Sequence, residues 1–266
     1  MTSIVSFLAE SQDDFAILAW AAIVFGVAGA IISFVAHHAW FRFWPVRSGA
    51  DATLADTVHS SLLTFSAFIL ALAVTNGFAN LANVEEAVRQ EALDIARLNR
   101  ELGALGDVGA AGRQALADYA RHVAGDEWKA LSKADPELSP LVQRDIDKLW
   151  AEIRTIQRNE SPALRQVRDT LNIYLMRIEQ FRADRLAAAT DSIPDVFWFI
   201  IVLLVVAASF MNGRNTLHRF GVHLIVVHMS AIGVVIALIV IVDNPFNGTT
   251  SVSSSIIADA LKPASR

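Results

Sequence analysis

Four long runs of apolar residues, almost free of charge, constrain this chain more than any other feature of its sequence. They cover residues 15–35, 62–81, 193–211 and 220–242. A bilayer core about 30 Å thick needs roughly 20 apolar helical residues to cross it, and each run has about that length. The sequence therefore predicts an all-α integral membrane protein with four transmembrane helices.

The charged residues are concentrated between the second and third runs. Residues 83–192 hold 16 of the 22 Lys and Arg and 19 of the 27 Asp and Glu. This distribution excludes an ordinary soluble enzyme and a disordered chain. It predicts two transmembrane hairpins, in residues 1–82 and 193–243, with a helical extramembrane bundle in residues 83–192 between them. Residues 244–266 are predicted to form a C-terminal tail.

Apolar residues in the charged segment recur at helical spacing. Val84, Val88, Ile95 and Leu102 predict that the second span continues into water as one helix. Glycines at 103, 106 and 109 are expected to end it. The last helix of the segment runs towards the third span. Because it and the continued second span must both reach the same membrane face, we expect them to be antiparallel.

The orientation follows from the charge of the short connections. An even number of spans places both termini and the charged segment on one side of the membrane. The two connections carry Arg42, Arg47, Arg214 and Arg219, whereas only acidic residues precede the first span. The positive-inside rule weighs short loops most, so it favours cytoplasmic connections and a periplasmic charged segment. Arginines near the membrane ends of that segment oppose this assignment.

The second span is the most polar of the four. Its small, hydroxylated and aromatic residues recur at steps of three and four and predict one continuous face. Such a face can line an ion pathway, in which hydroxyls replace water of hydration and phenyl rings form dry constrictions. Alternatively, small residues let neighbouring helices approach closely and hydroxyls bond across the contact. The candidate pore-lining residues are Ser61, Thr64, Phe68, Thr75, Asn76, Phe78 and Asn80.

Histidines form a second candidate site, in the fourth span. His223 and His228 lie within it, and His218 precedes it. Their spacing of five turns each imidazole about 140° from the last, so one helix cannot gather them round a metal ion. Intramembrane histidines can relay protons; otherwise they bond to neighbouring helices. His59, beside the first connection, raises the same alternatives.

No catalytic constellation is visible, so we expect neither an enzyme nor a bound cofactor. The chain has no cysteine, which excludes disulfides and thiolate chemistry. The net charge of −5 and the lack of a basic stripe argue against a nucleic-acid partner. Acidic residues between the spans have arginine neighbours, such as Glu85 with Arg89, which predicts solvated helix faces.

The most specific local string is the exit from the fourth span. Asp243, Pro245, Phe246 and Gly248 form a D-x-P-F-x-G pattern. With the polar second span and the helical segment, this pattern resembles the bacterial four-span family of unknown function 4239, also called the bestrophin-like domain. The family often has a second Asp or Arg in this exit, where Asn244 and Pro245 stand here. That difference weakens any charge-pair role of the exit.

The resemblance implies a bacterial inner-membrane protein related to bestrophins, which are pentameric anion channels with a helical domain between paired spans. Bestrophin topology places that domain in the cytosol, opposite to the charge count above. No bestrophin neck or calcium-binding motif is recognisable, so no functional residue is transferred.

Two main functions remain as hypotheses, beside proton-linked transport through His223 and His228. The first is a homo-oligomeric, channel-like protein in contact with membrane lipid, whose second span lines a path for a small ion. The alternative is a membrane-anchored sensor or scaffold whose helical segment binds a protein partner.

Overall fold

The computed structural model describes residues 13–43, 49–133, 135–158, 162–191, 193–214 and 218–262. All regular structure in these ranges is helical. Single π-helical turns follow α1 and α3, at His37–Phe41 and Val123–Glu127. The α-helices are α1 (Asp14–Ala36), α2 (Gly49–Ala104), α3 (Asp107–His122), α4 (Trp128–Leu131), α5 (Pro140–Gln157), α6 (Pro162–Thr190), α7 (Asp195–Asn212), α8 (Arg219–Val242) and α9 (Ser255–Asp259).

Four of these helices contain stretches long and apolar enough to cross a membrane: α1, the first half of α2, α7 and α8. The protein itself buries little of them. In the most apolar window of α1, only 22% of the residues are buried, and Phe15 and Trp20 are 78% and 55% exposed. So much exposed apolar surface is unfavourable in water and suits a hydrocarbon solvent. The four predicted spans are therefore confirmed as helices of membrane-spanning length.

The chain forms two compact units. The spanning unit comprises residues 1–79, 193–243 and 248–250, and the helical module comprises residues 80–192, 244–247 and 251–266.

In the spanning unit, α1 and α8 approach closely because glycines line their contact. A Cβ atom on Gly233 would lie 2.6 Å from the Phe25 Cβ and 2.8 Å from the Ala21 carbonyl oxygen. One turn away, the Ser230 hydroxyl donates to the Ala22 carbonyl at 2.7 Å. Small residues and interhelical hydrogen bonds drive helix association in lipid, where burial of apolar surface brings no gain.

Helix α7 contacts the C-terminal end of α1. The Ser33 hydroxyl lies 2.9 Å from the Ser209 carbonyl oxygen, and the His37 Nδ1 lies 2.9 Å from that of Gly213. Side chains of α2, α7 and α8 form a further apolar cluster, with Leu70, Ala73, Ile201, Ile236 and Ile239 among its buried members.

In the helical module, the second half of α2 packs against α6. Asn80 bonds to the Ala188 carbonyl, Glu91 pairs with Arg185, and Asp94 pairs with Arg177. The partner's number falls as the α2 number rises, so the two helices run antiparallel. Gly106, with φ of +59°, follows the end of α2 and allows the chain to turn into α3.

Part of the segment that the sequence assigned to a C-terminal tail is packed in the module's core. Phe246, Val252 and Ile257 are all buried there. The Trp128 Nε1 donates to the Val252 carbonyl at 3.1 Å, and the Trp128 and Phe246 rings meet edge to face. The mean hydropathy of this short segment is too low to predict that it packs in a core.

Replacing Gly233 by Ala should destabilise the spanning unit by about 1–3 kcal/mol, because the added methyl group meets a backbone carbonyl that cannot move freely. Thermal unfolding of the full chain in detergent would measure the effect. Gly125→Ala is the matched control, since a Cβ at Gly125 meets no atom within 4 Å. Equal unfolding temperatures for the two variants would contradict the assigned helix contact.

Candidate functional site

One side of the membrane-spanning part of α2 is exposed, and it carries residues of the predicted polar face together with apolar side chains such as Phe65 and Leu72, which are 60% and 40% exposed. Ser61, Thr64, Phe68 and Thr75 are exposed, with Phe68 at 65%. The opposite face, which includes Ser66, Leu70, Ala73 and Gly77, is buried within the spanning unit. These four residues therefore lie on the exposed side of α2, and their role as pore-lining residues stays a prediction.

The hydroxyl groups of this face bond to their own helix. Ser61, Thr64 and Thr75 each donate to the carbonyl four residues earlier, at 2.9 Å. Because each hydroxyl proton is used in this way, the oxygen lone pairs remain available to accept from water or to contact an ion. Further towards the start of α2, Thr53, Asp56 and Thr57 continue the polar surface and line a groove of about 530 Å³.

The other predicted residues of this set divide between the two units. Asn76 is exposed and Phe78 is 45% exposed, both in the spanning unit. Asn80 belongs to the helical module, where its amide nitrogen donates to the Ala188 carbonyl at 3.4 Å. The structure therefore gives Asn80 a packing contact between α2 and α6.

The two histidines of the fourth span, His223 and His228, lie in different surroundings. His223 is exposed, and its Nδ1 lies 2.6 Å from the Arg219 carbonyl oxygen of the same helix. His228 instead lines a groove of about 870 Å³, together with His59, Asn212 and His218. The described residues contain no group of three His, Asp or Glu side chains placed to hold a metal ion.

The residues of the exit motif after α8 make local structural contacts. An Asp243 carboxylate oxygen accepts from the Ile193 N–H at 3.0 Å, and the Pro245 carbonyl accepts from the Val252 N–H at 2.9 Å. Phe246 is buried. Gly248 has φ of +86°, and a Cβ there would collide with the Asp14 carboxylate. Each motif residue thus has a conformational or packing role.

The Asp14 carboxylate receives three hydrogen bonds just beyond this motif. The Thr249 hydroxyl donates at 2.7 Å, and the Thr250 N–H and hydroxyl donate at 2.7 and 2.6 Å. These bonds tie the start of α1 to the segment after α8, within the spanning unit.

The helical module contains a buried network of charged side chains. Glu127, fully buried, accepts from Arg182 Nε at 2.9 Å and from Arg185 Nη2 at 2.7 Å. Arg185 also pairs with Glu91, and Glu91 accepts from the Tyr119 hydroxyl at 2.6 Å. The network joins α2, α3, α6 and the π-helical turn after α3.

The pKa values of this network follow from burial. Burial raises the pKa of Glu127, against the opposing effect of its hydrogen bonds from Arg182. It raises the pKa of the Tyr119 phenol well above its ordinary value, so the phenol stays neutral and donates. It lowers the pKa of Arg185 to about 9, which leaves the guanidinium charged at neutral pH.

Comparison with known protein families identifies the family of this chain. The model of the bestrophin-like domain matches residues 24–257, which is most of the chain. The chain belongs to the bestrophin-like family. The resemblance inferred from the exit motif is thereby confirmed. No curated protein and no solved structure matches the chain significantly.

The buried network of this bestrophin-like protein was not anticipated from its sequence. The prediction of solvated acidic faces holds for Glu85, whose pair with Arg89 is on the surface. It is wrong for Glu91, Asp94 and Glu127, which are fully buried. A signal was present for Glu91, which lies three residues after Val88 and four before Ile95, on the apolar stripe of α2.

Replacing Arg185 by Ala should cost about 3–5 kcal/mol of unfolding free energy, because it leaves Glu91 and Glu127 buried without one of their cationic partners. Denaturant titration of the full chain in detergent, followed by tryptophan fluorescence, would measure this loss.

The matched control is Arg121→Ala. Arg121 pairs with Asp118, but its side chain is 64% exposed, so the loss should stay below about 1 kcal/mol. Similar losses in both variants would show that the buried network does not stabilise the module.

Proposed function

We propose that this bestrophin-like protein is an oligomeric, channel-like protein of the bacterial inner membrane, and that an ion path follows the exposed face of α2. The observation that carries the proposal is the two-sided character of the spanning part of this helix. One side is packed in its own subunit, whereas the side with Ser61, Thr64, Phe68 and Thr75 is exposed.

A hydroxylated face gains little from contact with hydrocarbon, since lipid tails offer its oxygens no hydrogen-bond donors. Copies of the chain arranged with this face towards a common axis would remove it from lipid. The hydroxyl oxygens could then replace part of the hydration shell of an ion, and Phe68 and Phe78 would supply dry constrictions. The same face would also serve as a contact between helices of neighbouring copies.

Cysteine substitutions test the proposal, because the chain has no native cysteine. Phe68→Cys and Thr75→Cys should form cross-links between copies in the membrane. A charged thiol reagent should reduce ion flux through reconstituted Thr75→Cys protein. The matched control, Ala73→Cys, is on the buried side of the same helix, with the native residue 1% exposed, and should show neither effect.

Purified wild-type protein that is monomeric in mild detergent and passes no ions in liposomes would contradict the channel proposal. It would favour the alternative, a membrane-anchored sensor or scaffold whose helical module binds a protein partner. Exposed apolar side chains on α6, Ile173 and Met176, are available for such a partner.

We also propose an orientation of the protein in the membrane. The arginines of the short connections support an orientation with those connections in the cytoplasm and the helical module in the periplasm. The module's charged surface, which includes the exposed pairs Glu85–Arg89 and Lys133–Glu137, fits an aqueous compartment.

Labelling of intact cells with a membrane-impermeant maleimide would measure the orientation. Glu137→Cys, in the module, should react, because the native side chain is 63% exposed. Ala39→Cys, in the π-helical turn after α1, should react only after the cells are lysed, and it leaves the arginine count unchanged. The reverse pattern would place the module in the cytosol, as the kinship with bestrophins implies.

A further inference from the structure

The groove that contains His228 lies within the spanning unit, between the first part of α2, the end of α7 and α8. Its volume is about 870 Å³. His59, Asn212, His218 and His228 contribute its polar lining, and apolar residues such as Leu224 and Val227 contribute the rest. The sequence did not group these four polar residues, because they come from three separate parts of the chain.

The polar lining contains two buried atoms without a hydrogen-bond partner among the described residues. They are the Asn212 amide nitrogen and the His59 Nδ1. A buried polar atom left in this state costs about 1–3 kcal/mol, and such atoms usually indicate an absent water or ligand. An amide nitrogen can only donate, so the missing partner of Asn212 is an acceptor.

The electrostatic surroundings favour an acceptor with negative charge. No described carboxylate lines this groove. The nearest acidic residue along α2, Asp56, is already paired with Arg214. Arg219, the first residue of α8, is exposed beside His218.

The apolar side of the groove is exposed. Phe220, Leu224 and Val227 on α8 are 67%, 55% and 68% exposed, in a helix apolar enough to span the membrane. An occupant must therefore combine acceptor oxygens with apolar chains. A phospholipid has this composition and is present around these helices at high concentration.

We propose that this groove binds one anionic phospholipid. Its phosphate accepts hydrogen bonds from the polar lining formed by Asn212, His59 and His228, and its acyl chains lie against the apolar residues of α8. The groove is separate from the exposed polar face of α2, so the proposal stands whether or not the protein conducts ions.

Native mass spectrometry of the full chain in detergent tests the proposal, with phosphatidylglycerol and phosphatidylcholine of the same acyl chains as probes. We expect one phosphatidylglycerol per subunit to be retained, in clear preference to phosphatidylcholine. Inorganic phosphate at the same concentration should not compete, because it lacks the chains. Equal retention of the two lipids, or displacement by inorganic phosphate, would overturn the proposal.

The variants are Asn212→Ala and His228→Leu, and each should weaken phosphatidylglycerol binding about tenfold, as expected for a lost hydrogen bond to a charged group. His223→Leu is the matched control, since His223 is an exposed histidine of the same helix outside the groove. Equal weakening by the control would overturn the assignment.

A measurement on the unaltered protein covers the case in which the variants do not fold. Phosphatidylglycerol should raise the unfolding temperature of the wild type more than phosphatidylcholine does, because it binds the folded state. Equal shifts would count against the proposal.

Discussion

The central constraint on this protein is that backbone polar groups within a bilayer must find their hydrogen bonds inside the protein. The long apolar runs meet it by forming helices, which satisfy the backbone locally. Since lipid is as apolar as the side chains, apolar burial does not then hold the helices together. The contact between α1 and α8 depends instead on close approach at Gly233 and on the hydrogen bond from Ser230 to the Ala22 carbonyl.

The same constraint governs the hydroxyl groups of α2. The hydroxyls of Ser61, Thr64 and Thr75 donate to backbone carbonyls of their own helix. The helix can therefore cross the membrane without a partner on another helix for each hydroxyl. Their oxygens nevertheless keep the capacity to accept. This combination makes the exposed face tolerable in lipid, and it is the basis of the ion path proposed above.

The helical module has an apolar core like that of a water-soluble protein, but it also buries charged side chains. Glu91, Glu127, Arg182 and Arg185 are taken out of water, and their mutual pairing, together with hydrogen bonds such as that from Tyr119 to Glu91, offsets the desolvation. Such a network fixes the register of α2 against α6, because a shift of either helix would leave buried charges unpaired.

Sequence by itself determined the spans, the end of α2 before Gly106 and the family, because hydropathy, glycine conformation and the exit motif are properties of consecutive residues. Only the tertiary structure decided which charges are buried and which polar groups meet. Glu127 and Arg185 are 58 residues apart in the chain, and His59 shares a groove with His228 from another helix. These pairings depend on how helices pack, and the periodicity of one helix does not specify the side chains of its neighbour.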